Sequence, residues 1–262
     1  MKTVRLKRKD IKNPYLPVEA EKITTETFLN NDISEIRIWS GNQEKILEDL
    51  FTVDTEGEAD TAEDVHIILS GDCSKVKRVG EYMTAGRITV EGDIGMHCGN
   101  FMSGGLIEIK GNADSWLGRE MRGGEIICRG NAALYCGSGY RGEKKGMRGG
   151  LIHIEGDAGD FLGETLWGGK IIVDGNAGNM PGAEMQGGEI IIGKDAEIPG
   201  ANMKDGVCII CGTAFDILPT FMLEDGKKNI DDFKTGFFEF SGDHANRKPK
   251  GRIYAKDYRI HQ

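Results

Sequence analysis

This 262-residue chain lacks several features that mark common protein classes. No apolar run approaches the roughly 18–20 residues of a membrane span. The first ten residues, MKTVRLKRKD, have no apolar signal core. A nucleic-acid binder would be expected to be basic. Here the formal net charge is −9, with acids and bases interleaved, which points to a soluble cytoplasmic protein. No Ser/His/Asp spacing, HExxH or Walker sequence occurs. GxG fragments such as Gly137–Gly139 are abundant, but a dinucleotide fingerprint needs a strand, a Gly turn and then a helix. His66, His97, His153, His244 and His261 are scattered, and His97 with Cys98 is the only close pair of soft ligands, too few for a metal site. No residue of this chain is therefore expected to be catalytic, to bind a cofactor or to hold a metal.

What the chain has in excess is glycine, 39 residues, about twice the usual share. The glycines are periodic. Each short strand closes on a Gly, at Gly71, Gly92, Gly111, Gly130, Gly156, Gly175, Gly193 and Gly212. A second column ends a Gly pair at Gly86, Gly105, Gly124, Gly150, Gly169, Gly188 and Gly206. Both columns step by about 19 residues and share one longer coil, and a fixed period in this range reads as a solenoid. Nineteen residues are too few for a strand, a helix and two turns, and Gly is poor in a helix interior. The expected fold is therefore all-β: a parallel β-helix of about eight coils over residues 65–212, each coil adding roughly 4.8 Å. Parallel crossovers prefer the right hand. Residues 1–64 and 213–262 leave the period and are expected to cap or dock the two ends, since a β-helix end exposes unpaired backbone.

The columns predict the interior. Strands are expected at Arg87–Glu91, Leu106–Lys110, Glu125–Arg129, Leu151–Glu155, Lys170–Asp174, Glu189–Ile192 and Val207–Cys211. Side chains alternate faces, so Ile88/Val90, Ile107/Ile109 and their equivalents through Cys208/Ile210 face inward. Met83, Met102, Met121, Met147, Leu166, Met185 and Met203 form a further stack, where a soft thioether fills an irregular core. Asp72, Asp93, Asn112, Asn131, Asp157 and Asn176 follow the closing glycines. They are expected to form a corner ladder, because such residues tolerate left-handed backbone and bond their own turn. In the N-terminal segment, Thr3–Lys7, Ile23–Phe28 and Ile33–Trp39 read as strands, and Asn42–Phe51 as an amphipathic helix. Residues 213–262 should contribute strands at Gly236–Phe240 and Arg252–Tyr254.

The six cysteines read as free thiols of a reducing compartment. Cys208 and Cys211 form a CxxC, but three residues apart on a strand they point to opposite faces. Cys98 and Cys136 occupy the same place two coils apart, ~10 Å by strand spacing, too far for a disulfide.

Two surface features stand out. The long coil carries its extra residues in Cys136–Arg148, CGSGYRGEKKGMR, which places Arg141, Lys144, Lys145 and Arg148 on one projecting loop. These cations are candidate contacts for an anionic ligand or an acidic partner surface. The outward strand face becomes apolar in the later coils, at Ile127, Ile172, Ile191 and Ile209, and an apolar outer stripe implies a cover or an interface.

The unit in residues 171–188, IIVDGNAGNMPGAEMQGG, resembles the repeat of the C-terminal β-helix domain of the glutamate synthase α chain. With the flanks, notably Glu19–Ile23, Gly41–Phe51, Leu218–Phe221 and Phe240–His244, the chain is most similar to that domain's stand-alone relative, the C-subunit of formylmethanofuran dehydrogenase. The resemblance implies a structural subunit of a complex that reduces CO2 with ferredoxin electrons and couples the formate to methanofuran. It implies amidohydrolase-like, pterin-binding and polyferredoxin partners. It places a tungsten- or molybdenum-pterin, iron–sulfur clusters and a dinuclear metal site on those partners, not on this chain. Alternative readings are the C-subunit of the related formyltransferase/hydrolase complex, a stand-alone glutamate synthase-type domain in ammonia assimilation, or a free β-helix enzyme acting on sugars.

Overall fold

The structure is a computed structural model that describes residues 1–9, 16–30, 32–230, 233 and 236–260. His261 lies outside them. The chain is mostly β, with two short α-helices among the described residues.

Ten strands follow one another as parallel, in-register rungs of one sheet. They are Lys2–Arg8, Val65–Ser70, Arg87–Val90, Leu106–Ile109, Glu125–Cys128, Leu151–Ile154, Lys170–Val173, Gln186–Ile192, Asp205–Ile217 and Arg252–Ile260. The expected repeat strands are all present, to within a residue at most ends. The first and last rungs come from the flanking segments, which therefore extend the stack. The sheet is mixed, because its ends are antiparallel. Phe51–Glu56 pairs with the first rung, while Phe237–Ser241 and then Met222–Lys228 follow the last. A row of single parallel bridges joins successive turns a second time, through Cys73, Ile94, Ala113, Ala132, Ala158 and Ala177.

Register fixes what meets what in the core. Val4, Ile67, Ile88, Ile107, Ile126, Ile152, Ile171, Ile190, Cys208 and Ile253 form one continuous inward row, all fully buried. Each aliphatic side chain of the row is worth roughly 1.5–3 kcal/mol on burial. The Met column, Leu166 included, is fully buried as expected.

The Gly pair has a steric cause. The first Gly lies against the preceding coil: a Cβ on Gly149 would sit 2.6 Å from the Arg122 carbonyl oxygen. The second, Gly150, has φ +91°, a region open to Gly at little cost. At this corner successive turns come too close for a side chain at either position of the pair.

The N-terminal segment departs from expectation. Thr25–Asn30 is helical where a strand was expected, and the Thr24 hydroxyl accepts from the Thr27 N–H at 3.3 Å near the helix start. Ile33–Glu35 is a 3-10 turn capped by Asp32, and only Arg37–Ser40 is strand. The expected helix over Asn42–Phe51 is a hairpin strand, Gln43–Ile46, followed by a single helical turn, Leu47–Leu50. Gly41, at φ +59°, opens a tight turn that pairs Ser40 with Gln43. Once the hairpin forms, its backbone pairing overrides the helical spacing of the apolar residues. The hairpin is held to the first coil by Val18–Glu19, which pairs with Val76–Lys77.

Candidate functional site

The corner after each strand is built in two steps. First, the Asn/Asp ladder forms as a relay along the axis. The backbone N–H of Asn112 donates to Asp93 at 2.7 Å, that of Asn131 to Asn112 at 2.9 Å, that of Asp157 to Asn131 at 2.8 Å and that of Asn176 to Asp157 at 2.7 Å. The expected reason for this ladder was wrong, because none of these residues is left-handed. The left-handed positions come a few residues later, at Arg78, His97, Trp116, Tyr135, Phe161, Met180 and Ile198, with φ from +49° to +67°. In this conformation the peptide N–H points to the next coil: Trp116 donates to Leu134 at 2.8 Å and Tyr135 to Asp160 at 2.9 Å. Left-handed backbone costs an L-residue about 1–2 kcal/mol. Here inter-coil hydrogen bonds and ring stacking offset that cost.

The stacking is direct. His97 faces Trp116 at 5.2 Å between centroids, Trp116 faces Tyr135 at 5.1 Å, and Tyr135 faces Phe161 at 5.0 Å, with the last two pairs within 7° of parallel. A second left-handed pair, Tyr82 and Phe101, stacks at 4.7 Å. The sequence reading missed this aromatic ladder. Its signal was available: the fifth residue after four successive closing glycines, Gly92, Gly111, Gly130 and Gly156, is His97, Trp116, Tyr135 and Phe161. The four residue types differ, so the column does not read as a repeat until the shared backbone conformation is seen.

The basic loop folds against this ladder. Tyr140 tilts onto Trp116 at 5.8 Å, Lys145 Nζ sits 3.9 Å above the Trp167 ring, and Gln186 donates to the Lys144 carbonyl at 3.0 Å. Between loop and ladder lies an open cavity of about 720 Å3. Arg141, Lys144 and Lys145 line it, together with Lys204 from a later coil, which sequence spacing could not place there. Arg148, the fourth expected cation, is diverted to the buried Glu120 carboxylate at 3.9 Å and does not line the cavity. Glu143, Glu164 and Glu184 also face it, so the wall is of mixed sign. Burial and the neighbouring Glu184 push the Glu164 carboxyl above the usual carboxylate range.

The apolar stripe is elsewhere, on the outer strand face. Ile127, His153, Ile172, Ile191, Ile209 and Tyr254 stand side by side in register. Ile127, Ile172 and Ile191 are half-buried and Ile209 is buried. At one end Glu108 is held by Arg87 at 3.1 Å and Arg129 at 2.9 Å; at the other the Tyr254 hydroxyl donates to Glu239 at 3.3 Å. The stripe is thus bounded by charge, and His153, which meets Asp174 at 3.0 Å, interrupts it between Ile127 and Ile172.

Among the described residues no group of three His, Cys, Asp or Glu converges as metal ligands. All six cysteines are unpaired, five are buried, and burial raises each thiol pKa, most strongly at Cys98 and Cys136. Cys208 faces inward and Cys211 outward, as strand alternation requires. Among the described residues no helix is long and apolar enough to cross a membrane.

No family model matches the chain. It is, however, 53% identical over 254 residues, 92% of its own length and 92% of the relative's, to the C-subunit of the tungsten-containing formylmethanofuran dehydrogenase 2 of Methanococcus maripaludis. The chain belongs to the formylmethanofuran dehydrogenase C-subunit family. A molybdenum-containing member of this family, the C-subunit of formylmethanofuran dehydrogenase 1 of Methanosarcina barkeri, is 36% identical over 31% of the chain and 28% of the relative. Among solved structures, the formyltransferase/hydrolase complex FhcABCD of Methylorubrum extorquens with methylofuran contains a chain that matches at TM-score 0.82. The match covers 97% of this chain and 98% of that one at 25% identity. The tungsten or molybdenum of the family's names has no fitting ligand set here, because the thiols are mostly interior and no carboxylate or imidazole cluster accompanies them among the described residues.

Proposed function

We propose that this chain is a non-catalytic scaffold subunit of a cytoplasmic formylmethanofuran dehydrogenase complex. In this reading CO2 is reduced with ferredoxin electrons to formate, and formate is coupled to methanofuran, at centres held by amidohydrolase-like, pterin-binding and polyferredoxin partners. Those partners carry the metal-pterin, the iron–sulfur clusters and the dinuclear site. Tungsten is favoured over molybdenum, because the relative aligned over 92% of the chain is of the tungsten type. The observation that carries the proposal is that near-complete alignment at 53% identity.

The scaffold is a right-handed parallel β-helix of about eight coils, residues 65–212, flanked by docking segments 1–64 and 213–262. Its stiffness follows from in-register rungs joined at the strand, at the alanine bridges and at both corners. The outer stripe of Ile127, Ile172, Ile191 and Ile209 is one partner contact. The loop cations Arg141, Lys144 and Lys145, with Arg148 beside them, attract the glutamyl carboxylates of methanofuran or an acidic partner surface.

Affinity isolation of the tagged chain at native levels, with mass spectrometry and metal analysis, tests the proposal. Recovery of amidohydrolase-like, pterin-binding and polyferredoxin chains with tungsten supports it. A lone, metal-free chain overturns it. A formyltransferase/hydrolase assembly is the second reading, supported by the structural likeness to a chain of FhcABCD. It predicts partners without a pterin oxidoreductase.

A further inference from the structure

On the same corner as the aromatic ladder lies a second, smaller cavity of about 260 Å3. Its wall is Lys77, Arg78, His97, Asn100, Arg119 and Tyr140, with one carboxylate, Glu19, at the edge beside Lys77. Arg119 is its most unusual member. Its side chain is only 14% exposed, and its guanidinium lies over the rings of Phe101 at 4.6 Å and Tyr140 at 5.0 Å. Its charge partner is the buried Glu120 carboxylate, 3.8 Å from Nε and shared with Arg148 at 3.9 Å, an ion pair beyond hydrogen-bonding reach. Among the described residues the guanidinium makes no hydrogen bond at all. A guanidinium has five donors, and leaving them without hydrogen-bond acceptors in a mostly desolvated setting is costly even with Glu120 beside it.

The surroundings repeat the pattern. Arg78 gives its Nε to Glu81 at 2.7 Å and commits no other side-chain donor among the described residues. Lys77 is paired with Glu19 only at 3.5 Å. His97 Nδ1 is buried without a hydrogen-bond partner. Burial, and then Arg119, Lys77 and Arg78, push the His97 imidazole down to about 4, so the ring is neutral in a locally positive field. Among the described residues Glu19 is the one acidic group of the wall and is turned to Lys77; Arg119, Arg78, Lys77 and the His97 ring offer donors, and stacking holds the planar guanidinium in place. Such a fork matches the two oxygens of a carboxylate or phosphate.

We propose that this cavity binds a small oxyanion, gripped by the guanidinium of Arg119 and flanked by Lys77, Arg78 and the ring of His97. The site is independent of the partner contacts proposed above and lies on a different set of cations from the basic loop.

The test is a titration of the full-length chain with sodium phosphate and with sodium acetate against sodium chloride at equal ionic strength. The readouts are the imidazole NMR signals of His97 and the indole signal of Trp116, which stacks on it. The expected result is a saturable shift with phosphate or acetate that chloride does not produce, together with a rise in the His97 pKa. Arg119→Met should weaken the binding at least tenfold, while Arg129→Met, on the outer face, leaves it unchanged. Should Arg119→Met fail to fold, Lys77→Met at the cavity wall should weaken binding several-fold. A response identical in chloride overturns the proposal, as does an affinity unaltered by both cavity variants.

Discussion

Trp116 and Tyr135 lie face to face, 5.1 Å between centroids and 7° from parallel, and both hold left-handed backbone, at φ +60° and +62°. Strain and stacking therefore act on the same residues. Tyr135 also stacks on Phe161, so Tyr135→Ala removes two ring pairs at about 0.5–1.5 kcal/mol each while keeping the strained backbone. Tyr135→Gly loses the same rings but relieves the strain, at about 1–2 kcal/mol. Chemical denaturation should rank the proteins wild type, then Gly, then Ala. If Ala proves as stable as Gly, backbone strain is not stored at this corner.

Gly150→Ala should destabilise the chain by about 2–4 kcal/mol. It forces a Cβ into a left-handed position and to within 2.6 Å of the Gly124 carbonyl oxygen, where backbone cannot yield cheaply. Gly142, at φ +88° but with open space around its Cβ, is the comparison. Gly142→Ala should carry only the conformational part. Equal losses at the two sites in a denaturant titration would contradict the close-approach account of the Gly pair.

Neighbouring residues on one rung separate core from surface. Ile171 is fully buried in the inward row, and Ile171→Ala should cost about 2–5 kcal/mol. Ile172 is half-buried in the outer stripe. Ile172→Ala should cost the isolated chain much less yet reduce recovery of partners in affinity isolation. Unaltered partner recovery would remove the stripe from the candidate contacts.

His97 gives the chain a pH dependence of fixed sign. Burial and three nearby cations lower its pKa from 6.5 to about 4, with Asp114 opposing weakly. Between those values the unfolded chain takes up a proton that the folded chain refuses. Its contribution is therefore complete above pH 6.5 and is lost as pH falls toward 4. Denaturation midpoints at about pH 7 and about pH 5 should differ more in the wild type than in His97→Gln. His66, also lowered by burial and by Arg87, contributes in the same sense and is common to both proteins. An equal pH effect in the variant would show that the ring titrates normally.

The repeat was legible because its physical cause is local and recurs. Ile88, Ile107 and Ile126 alternate with outward residues on every rung, and Gly104–Gly105 and Gly123–Gly124 recur because every coil makes the same close approach. The N-terminal segment was not legible in this way. Ile46, Leu47, Leu50 and Phe51 satisfy helical spacing, but the turn at Gly41 and the pairing of Gln43–Ile46 with Arg37–Ser40 decide otherwise. In the candidate site, the loop cations were visible as a charge run, whereas the escape of Arg148 to Glu120 and the arrival of Lys204 were not.

By itself, then, the sequence determined the periodic core: which residues face inward, where each coil turns, and the family to which that pattern belongs. These follow from period, alternation and steric limits, which act within one coil and on its image in the next. Tertiary structure alone decided that the flanks supply the first and last rungs, that the aromatic residues stack at left-handed positions, and that Arg119 lies desolvated over two rings beside Glu120, without a hydrogen bond among the described residues. Those outcomes depend on contacts between segments far apart in the chain, where burial and the reach of particular side chains select the partner.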